Sequence, residues 1–139
     1  MNHLQQIQEW MKKNKIDLFI INRTDEFLNE YIAPYAERLK WISNFSGSAG
    51  RAIILQNQAM IFIDGRYTFQ AFEQVDKQYF SIEHLKDYWS SLDSNIKVNT
   101  LVGIDPSLHS NAEIQKIESI VRKKNSHIQY LEENPIDIL

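Results

Sequence analysis

The stretch FSGSAGRAIILQNQAMIFIDGRYTFQA, Phe45 to Ala71, carries the most suggestive chemistry of the chain: two glycine turns, two apolar runs, then Asp64, Arg66 and Tyr67 close together. Arginine suits carboxylate recognition, because its planar fork donates two parallel hydrogen bonds. The plainer reading makes Asp64 a helix cap and gives Arg66 a buried ion pair or hydrogen bond, and spacing alone favours it. GSAG, Gly47 to Gly50, is read sterically in the same way, as backbone angles or close approaches that other residues resist. It is no nucleophile elbow, since Ser48 directly follows Gly47 and the second glycine comes too soon. A phosphate loop would need Gly-Lys-Ser/Thr, which the chain lacks. The G-x-x-G clamp of KH-type RNA-binding domains sits between helices with basic neighbours, whereas a strand follows here.

The remaining candidates are sparser. His3, His84, His109 and His127 are spread along the chain, and none is read with a second metal ligand at helical or strand spacing. Convergence of His84 and His109 in space stays open. Asp25, Glu26 and Glu30 could pair as carboxylates, yet no apolar pocket pattern surrounds them, so a solvated face or a cap is the reading. No complete catalytic set and no metal-ligand set emerges.

Composition narrows the classes. The 139 residues make one domain, with 43% hydrophobic and 24% charged residues, ordinary for a soluble globular protein. Fifteen basic and eighteen acidic residues leave a net charge of −3, which offers no field for nucleic acid or an anionic membrane. No run approaches the roughly 20 apolar residues of a membrane span. The absence of cysteine removes disulfides, thiolate nucleophiles and zinc–thiolate sites. The polar N-terminus gives no argument for export, so a cytoplasmic location is the expectation.

The elements that must position these residues follow from periodicity. Leu4, Ile7, Trp10 and Met11 share one side of a helix over 3–14. IDLFIIN (Ile16–Asn22) and TLVGID (Thr100–Asp105) read as strands buried on both faces. Pro34 blocks a long helix in the stretch before it. AERLKWISNF suggests one or two helical turns. RAIIL and AMIFI, joined by Gln56–Gln58, predict an antiparallel hairpin. A helix near Arg66, a strand in YFSIEHL and a short helix in DYWSSL come next. Ser110 or Asn111 caps a helix that turns Ile114, Ile117, Ile120 and Val121 inward, with cations at its C-terminus. HIQYLE is a last strand. The sum is an α/β fold: a mixed sheet of about five or six strands with a central hairpin, flanked by helices.

Glu30 to Ala71 resembles the N-terminal domain of Xaa-Pro aminopeptidases, within the creatinase/prolidase family, in its three-domain form. The family pattern falls on Glu30–Pro34 (EYIAP), Arg38, Trp41, Ser43–Phe45, Gly47–Gly50 and Asp64–Tyr67, with Asn44 where glycine is usual. Asparagine tolerates the left-handed region, so the turn should survive. The opening helix, IDLFII and LVGIDPSLHS have weaker counterparts, and ENPIDIL resembles the family's exit from this domain.

The resemblance implies that residues 1–139 form a creatinase/prolidase-like N-terminal domain, with the catalytic pita-bread metallopeptidase domain absent from this chain. The parent would release the residue preceding a proline at the second position of a peptide, using two divalent metal ions, by family habit manganese. This domain would hold no cofactor, no catalytic residue and no metal ligand. It would limit access to the active site and support a homodimer, its partners being the parent's catalytic domain and proline-second peptides. Arg66, Tyr67, Gly47, Ser48 and Gly50 are the residues expected near substrate or interface, and Asp64, Gly65 and Arg38 are read as structural. The alternative is a stand-alone binding or assembly module with the same fold. An independent hydrolase pairing Asp64 with a histidine has no spacing to support it.

Overall fold

The computed structural model describes residues 2–22, 38–45, 50–65 and 68–138. Their six strands form one sheet: β1 (Leu18–Asn22), β2 (Gly50–Leu55), β3 (Ala59–Ile63), β4 (Ser81–His84), β5 (Leu101–Ile104) and β6 (His127–Tyr130), in the order β4-β3-β2-β1-β5-β6. β1 pairs antiparallel with β2, and β2 with β3; the pairs β3–β4, β1–β5 and β5–β6 are parallel. One reversed strand in a parallel sheet is what a hairpin inside an otherwise crossover-connected chain produces.

The apolar run of β1 has the cause inferred from sequence: all five of its residues are buried. Phe19 and Ile21 enter one core, and Leu18 and Ile20 the other. The first core is closed by α1 (His3–Lys13), α2 (Arg38–Ser43), α3 (Thr68–Gln74) and α6 (Pro135–Ile138), which supply Leu4, Ile7, Met11, Leu39, Ile42, Ala71 and Ile136, with Val75 just past the end of α3. The second is closed by α4 (Tyr88–Asn95) and α5 (Asn111–Lys123), through Tyr88, Leu92, Ile117 and Val121.

Local chemistry sets the element ends. Asn2 caps α1 with a full capping box: its side chain accepts from the Gln5 amide at 2.8 Å, and Gln5 accepts from the Asn2 amide at 2.9 Å. Ser110, one of the two caps anticipated for α5, accepts from the Glu113 amide, and Arg122 and Lys123 close its last turn. Ile117 and Val121 are buried, whereas Ile114 and Ile120 are half-buried at the flank. The hairpin loop is Gln56–Gln58, as the spacing predicts, and Gln56 reaches back to donate to the Ile16 carbonyl at 2.9 Å. Asn44 takes φ 66°, a left-handed turn directly after α2. The helix anticipated near Arg66 is described from Thr68 onward.

Gly50 opens β2, where a Cβ would lie 2.8 Å from Leu39 Cδ2 and 3.3 Å from Phe45 Cε2. A methyl there would force the Leu39 side chain to move and crowd the Phe45 ring. Gly50→Ala is expected to cost about 1–3 kcal/mol, the usual penalty for overpacking, measured as a lowered urea midpoint at unchanged m-value.

Candidate functional site

Of the residues singled out from sequence, Arg66, Tyr67, Gly47 and Ser48 lie outside the described residues, as do Asp25, Glu26, Glu30 and the EYIAP segment. Gly50, Asp64, Gly65 and Arg38 are described. Gly50 fills the tight contact above. Asp64 and Gly65 follow β3 at the end of the sheet where the parallel strands finish, and a Cβ on Gly65 would stand 3.3 Å from His84 Nε2. Arg38 opens α2 and forks onto Asp137 of α6, with Nε to Oδ1 at 3.1 Å and Nη2 to Oδ2 at 2.8 Å. That bidentate pair joins the last helix to the second across the first core. Asn134, just ahead of α6, donates to buried Asp105 at 3.1 Å.

His84 and His109 do not meet. His84 ends β4, and His109 contacts Asn22 of β1, with β2 and β3 between those strands. His109 instead corrects the sequence reading in another way. Glu113 stands four residues on, at helical spacing, and the two touch: His109 Nδ1 lies 3.3 Å from Glu113 Oε2. The imidazole is also buried, only 1% exposed, rather than a surface residue.

Around this pair the fold assembles a polar network of which the residue pattern shows little sign. Asn22, the last residue of β1, holds its Nδ2 2.9 Å from His109 Nδ1 and donates to Glu113 Oε2 at 3.3 Å. Arg51, directly across the ladder from Asn22, donates from Nη2 to Glu113 Oε1 at 2.7 Å. Its guanidinium also sits 4.7 Å from the Tyr88 ring centroid and 5.7 Å from that of Trp89. Lys116 adds a second cation, 4.2 Å from the Trp89 ring. Four elements, β1, β2, α4 and α5, are thus tied at the ends of the parallel strands, the place where open α/β sheets usually receive ligands.

The charges are mutually compensated. The hydrogen bond to His109 holds the Glu113 carboxyl below its ordinary pKa against the opposing effect of burial, helped by Arg51 and Asn22. Burial pushes the Tyr88 hydroxyl far up, so it stays protonated. Asn22 Oδ1 and Arg51 Nη1 are buried without a hydrogen-bond partner among the described residues. The network clamps; it presents no nucleophile. For a metal the residues do not fit, since no three His, Cys, Asp or Glu gather among the described residues. Among them, too, no helix is long and apolar enough to cross a membrane.

The creatinase/prolidase N-terminal domain family matches residues 3–133. The chain belongs to that family. The creatinase/prolidase fold is equally plain in solved structures. An X-prolyl aminopeptidase from Caenorhabditis elegans, described as a cytosolic enzyme with a dinuclear active site, superposes with TM-score 0.89 over 98% of this chain and 24% of its own, at 21% identity. The N-terminal domain of the cytoplasmic peptidase PepQ from Mycobacterium tuberculosis gives TM-score 0.69 and 16% identity over 97% of this chain and 95% of that one. In sequence, a probable Xaa-Pro aminopeptidase P from Paracoccidioides lutzii is 32% identical over 137 residues, 96% of this chain and 22% of the relative. The creatinase-type chain therefore spans less than a quarter of the length of such curated relatives.

Glu113 makes the network sensitive to acid. Because its folded pKa is depressed, its contribution to stability is fully present above the unfolded carboxylate value of about 4.3 and is lost as pH falls through the folded one. Glu113→Gln should therefore be less stable than the parent sequence at pH 7, with the gap narrowing below about pH 4. Urea unfolding across that range measures it.

Proposed function

We propose that this chain is the non-catalytic first domain of a larger Xaa-Pro aminopeptidase, residues 1–139 forming the domain and the pita-bread metallopeptidase domain following in the parent. The observation that carries this is the pattern of coverage: 96% of the chain aligns with a probable Xaa-Pro aminopeptidase P while accounting for 22% of that relative. The parent would cleave between any first residue and a proline in second place, its dinuclear centre supplying the hydrolytic chemistry from residues outside this chain. Manganese is the metal that the family resemblance suggests, with a cytoplasmic location and a homodimeric parent.

Within that enzyme the domain contributes shape. It borders the active-site mouth, and Arg66, Tyr67, Gly47, Ser48 and Gly50 contact substrate or an interface and restrict entry to short or unstructured peptides. Asp64, Gly65 and Arg38 serve the frame. The Arg38–Asp137 fork, with Arg38 only 13% exposed, supports this, because it ties α2 to α6.

Two measurements test the proposal. The reading frame beyond Leu139 should continue into a segment carrying the metal ligands. The purified 139-residue domain should hydrolyse no Xaa-Pro peptide with added manganese, and the full-length protein should. Cleavage by the domain alone would sink the proposal, and a stop codon after Leu139 would favour a stand-alone module.

A further inference from the structure

His109 Nδ1 has two neighbours that ask opposite things of it. Asn22 Nδ2 lies 2.9 Å away and has only N–H groups to offer, so Nδ1 accepts from it only as a bare lone pair. Glu113 Oε2 lies 3.3 Å away and, as a carboxylate, has only lone pairs, so Nδ1 donates to it only when it carries a proton. The third side of the triangle is short as well, since Asn22 Nδ2 donates to the same Oε2 at 3.3 Å. One nitrogen cannot serve both partners at once. Little water reaches the place to relieve the conflict, because the His109 side chain is 1% exposed and Asn22 is 7% exposed.

We propose that this triangle is a proton switch: a proton on His109 Nδ1 exchanges the imidazole's bond to Asn22 for one to Glu113, and loss of the proton restores the first. The two states differ in what they hold together. Without the proton, His109 ties Asn22, the last residue of the buried strand β1, to the segment that enters α5. With it, His109 bonds four residues along its own segment, and that tie to β1 is given up. A second observation fits. Asn22 Oδ1 is buried with no hydrogen-bond partner among the described residues, which costs free energy. Turning the amide over sets Oδ1 against the new N–H, so the protonated state brings a donor within reach of the orphaned oxygen.

The charges around the triangle oppose one another, which leaves neither state locked. Glu113, held below its ordinary carboxylate value, is the anion that attracts a proton to Nδ1. From β2, Arg51 Nη2 holds the other oxygen, Oε1, at 2.7 Å and weakens that attraction. Lys116, one turn past Glu113 on α5 with Nζ 4.2 Å from the Trp89 ring, is a second cation. From α4, the Tyr88 hydroxyl stays protonated. Asp105, ahead of His109, is already engaged by Ser107 and Asn134.

Nuclear magnetic resonance of the 15N-labelled 139-residue chain tests this between pH 8 and pH 5, the range in which imidazoles ordinarily change charge. Long-range correlations to the ring nitrogens report which of them is protonated on His109, and the Asn22 side-chain amide is followed beside them. At pH 8 Nδ1 should be bare, with the ring proton on Nε2. On acidification Nδ1 should gain a proton, and the Asn22 amide signals should shift with the same midpoint. In Glu113→Gln that shared midpoint should move to lower pH, because the attracting anion is gone. His109→Asn keeps a polar group near the Nδ1 position with nothing to titrate, and should leave the Asn22 signals flat across the range. Nδ1 protonated throughout, or bare throughout, would overturn the inference. So would Asn22 signals that ignore the His109 titration, that still move in His109→Asn, or that change only when every backbone signal reports acid unfolding. If His109→Asn does not fold, the titrations of the unsubstituted chain and of Glu113→Gln decide. No readout here involves peptide cleavage, so the outcome is separate from that of the proposed peptidase role.

Discussion

Everything in the structure is arranged around a strand that has no exposed face. β1 is buried along its whole length, with β2 on one side and β5 on the other, and with helices over both surfaces. A strand in that position can carry no polar side chain except at its ends, and its one polar residue, Asn22, is its last. The two cores, the placement of α1 and α2 against α4 and α5, and the polar network at the strand ends all follow from where those five residues must go. Because alternate side chains feed opposite faces, a shift of one residue would exchange the contents of the two cores.

The polar network explains how a charged cluster persists beside so much apolar surface. A buried arginine or carboxylate alone would be costly, but Arg51, Glu113, His109 and Asn22 satisfy most of each other's hydrogen-bonding groups, and Tyr88 gives the guanidinium a ring to lie over. The arrangement draws one residue or more from each of four elements, so it ties them together at the ends of the parallel strands. Together with the Arg38–Asp137 fork, it makes a rigid rim from a fold whose helices are mostly short.

Much of this architecture was legible from spacing. The 3.6-residue period of α1 and α5, the unbroken apolar run of β1 and the three-residue hairpin loop are local patterns, and local patterns survive into the fold. Sheet order was not legible, because nothing in LFIIN or LVGI says which strands will be neighbours. The polar network was even less so: its members sit at 22, 51, 88, 109 and 113, and only the four-residue step from His109 to Glu113 was open to a reader of the sequence. The family pattern over Glu30–Ala71 supplied what periodicity could not, yet it draws the eye to Arg66 and Tyr67 and away from Arg51, which departs from no motif and simply looks like the start of a strand.

The pairing of β1 has a temporal side. Its antiparallel partner β2 is the next described strand in sequence, so that contact can form early in synthesis, and the β2–β3 hairpin soon after. The parallel partner is different: Leu18 must wait for Val102. Until the second half of the chain leaves the ribosome, one edge of this fully buried strand stands open. Long-range parallel pairing is slow and exposed to wrong partners. A nascent chain stalled before β5 would present that edge to chaperones or to its neighbours on the same message.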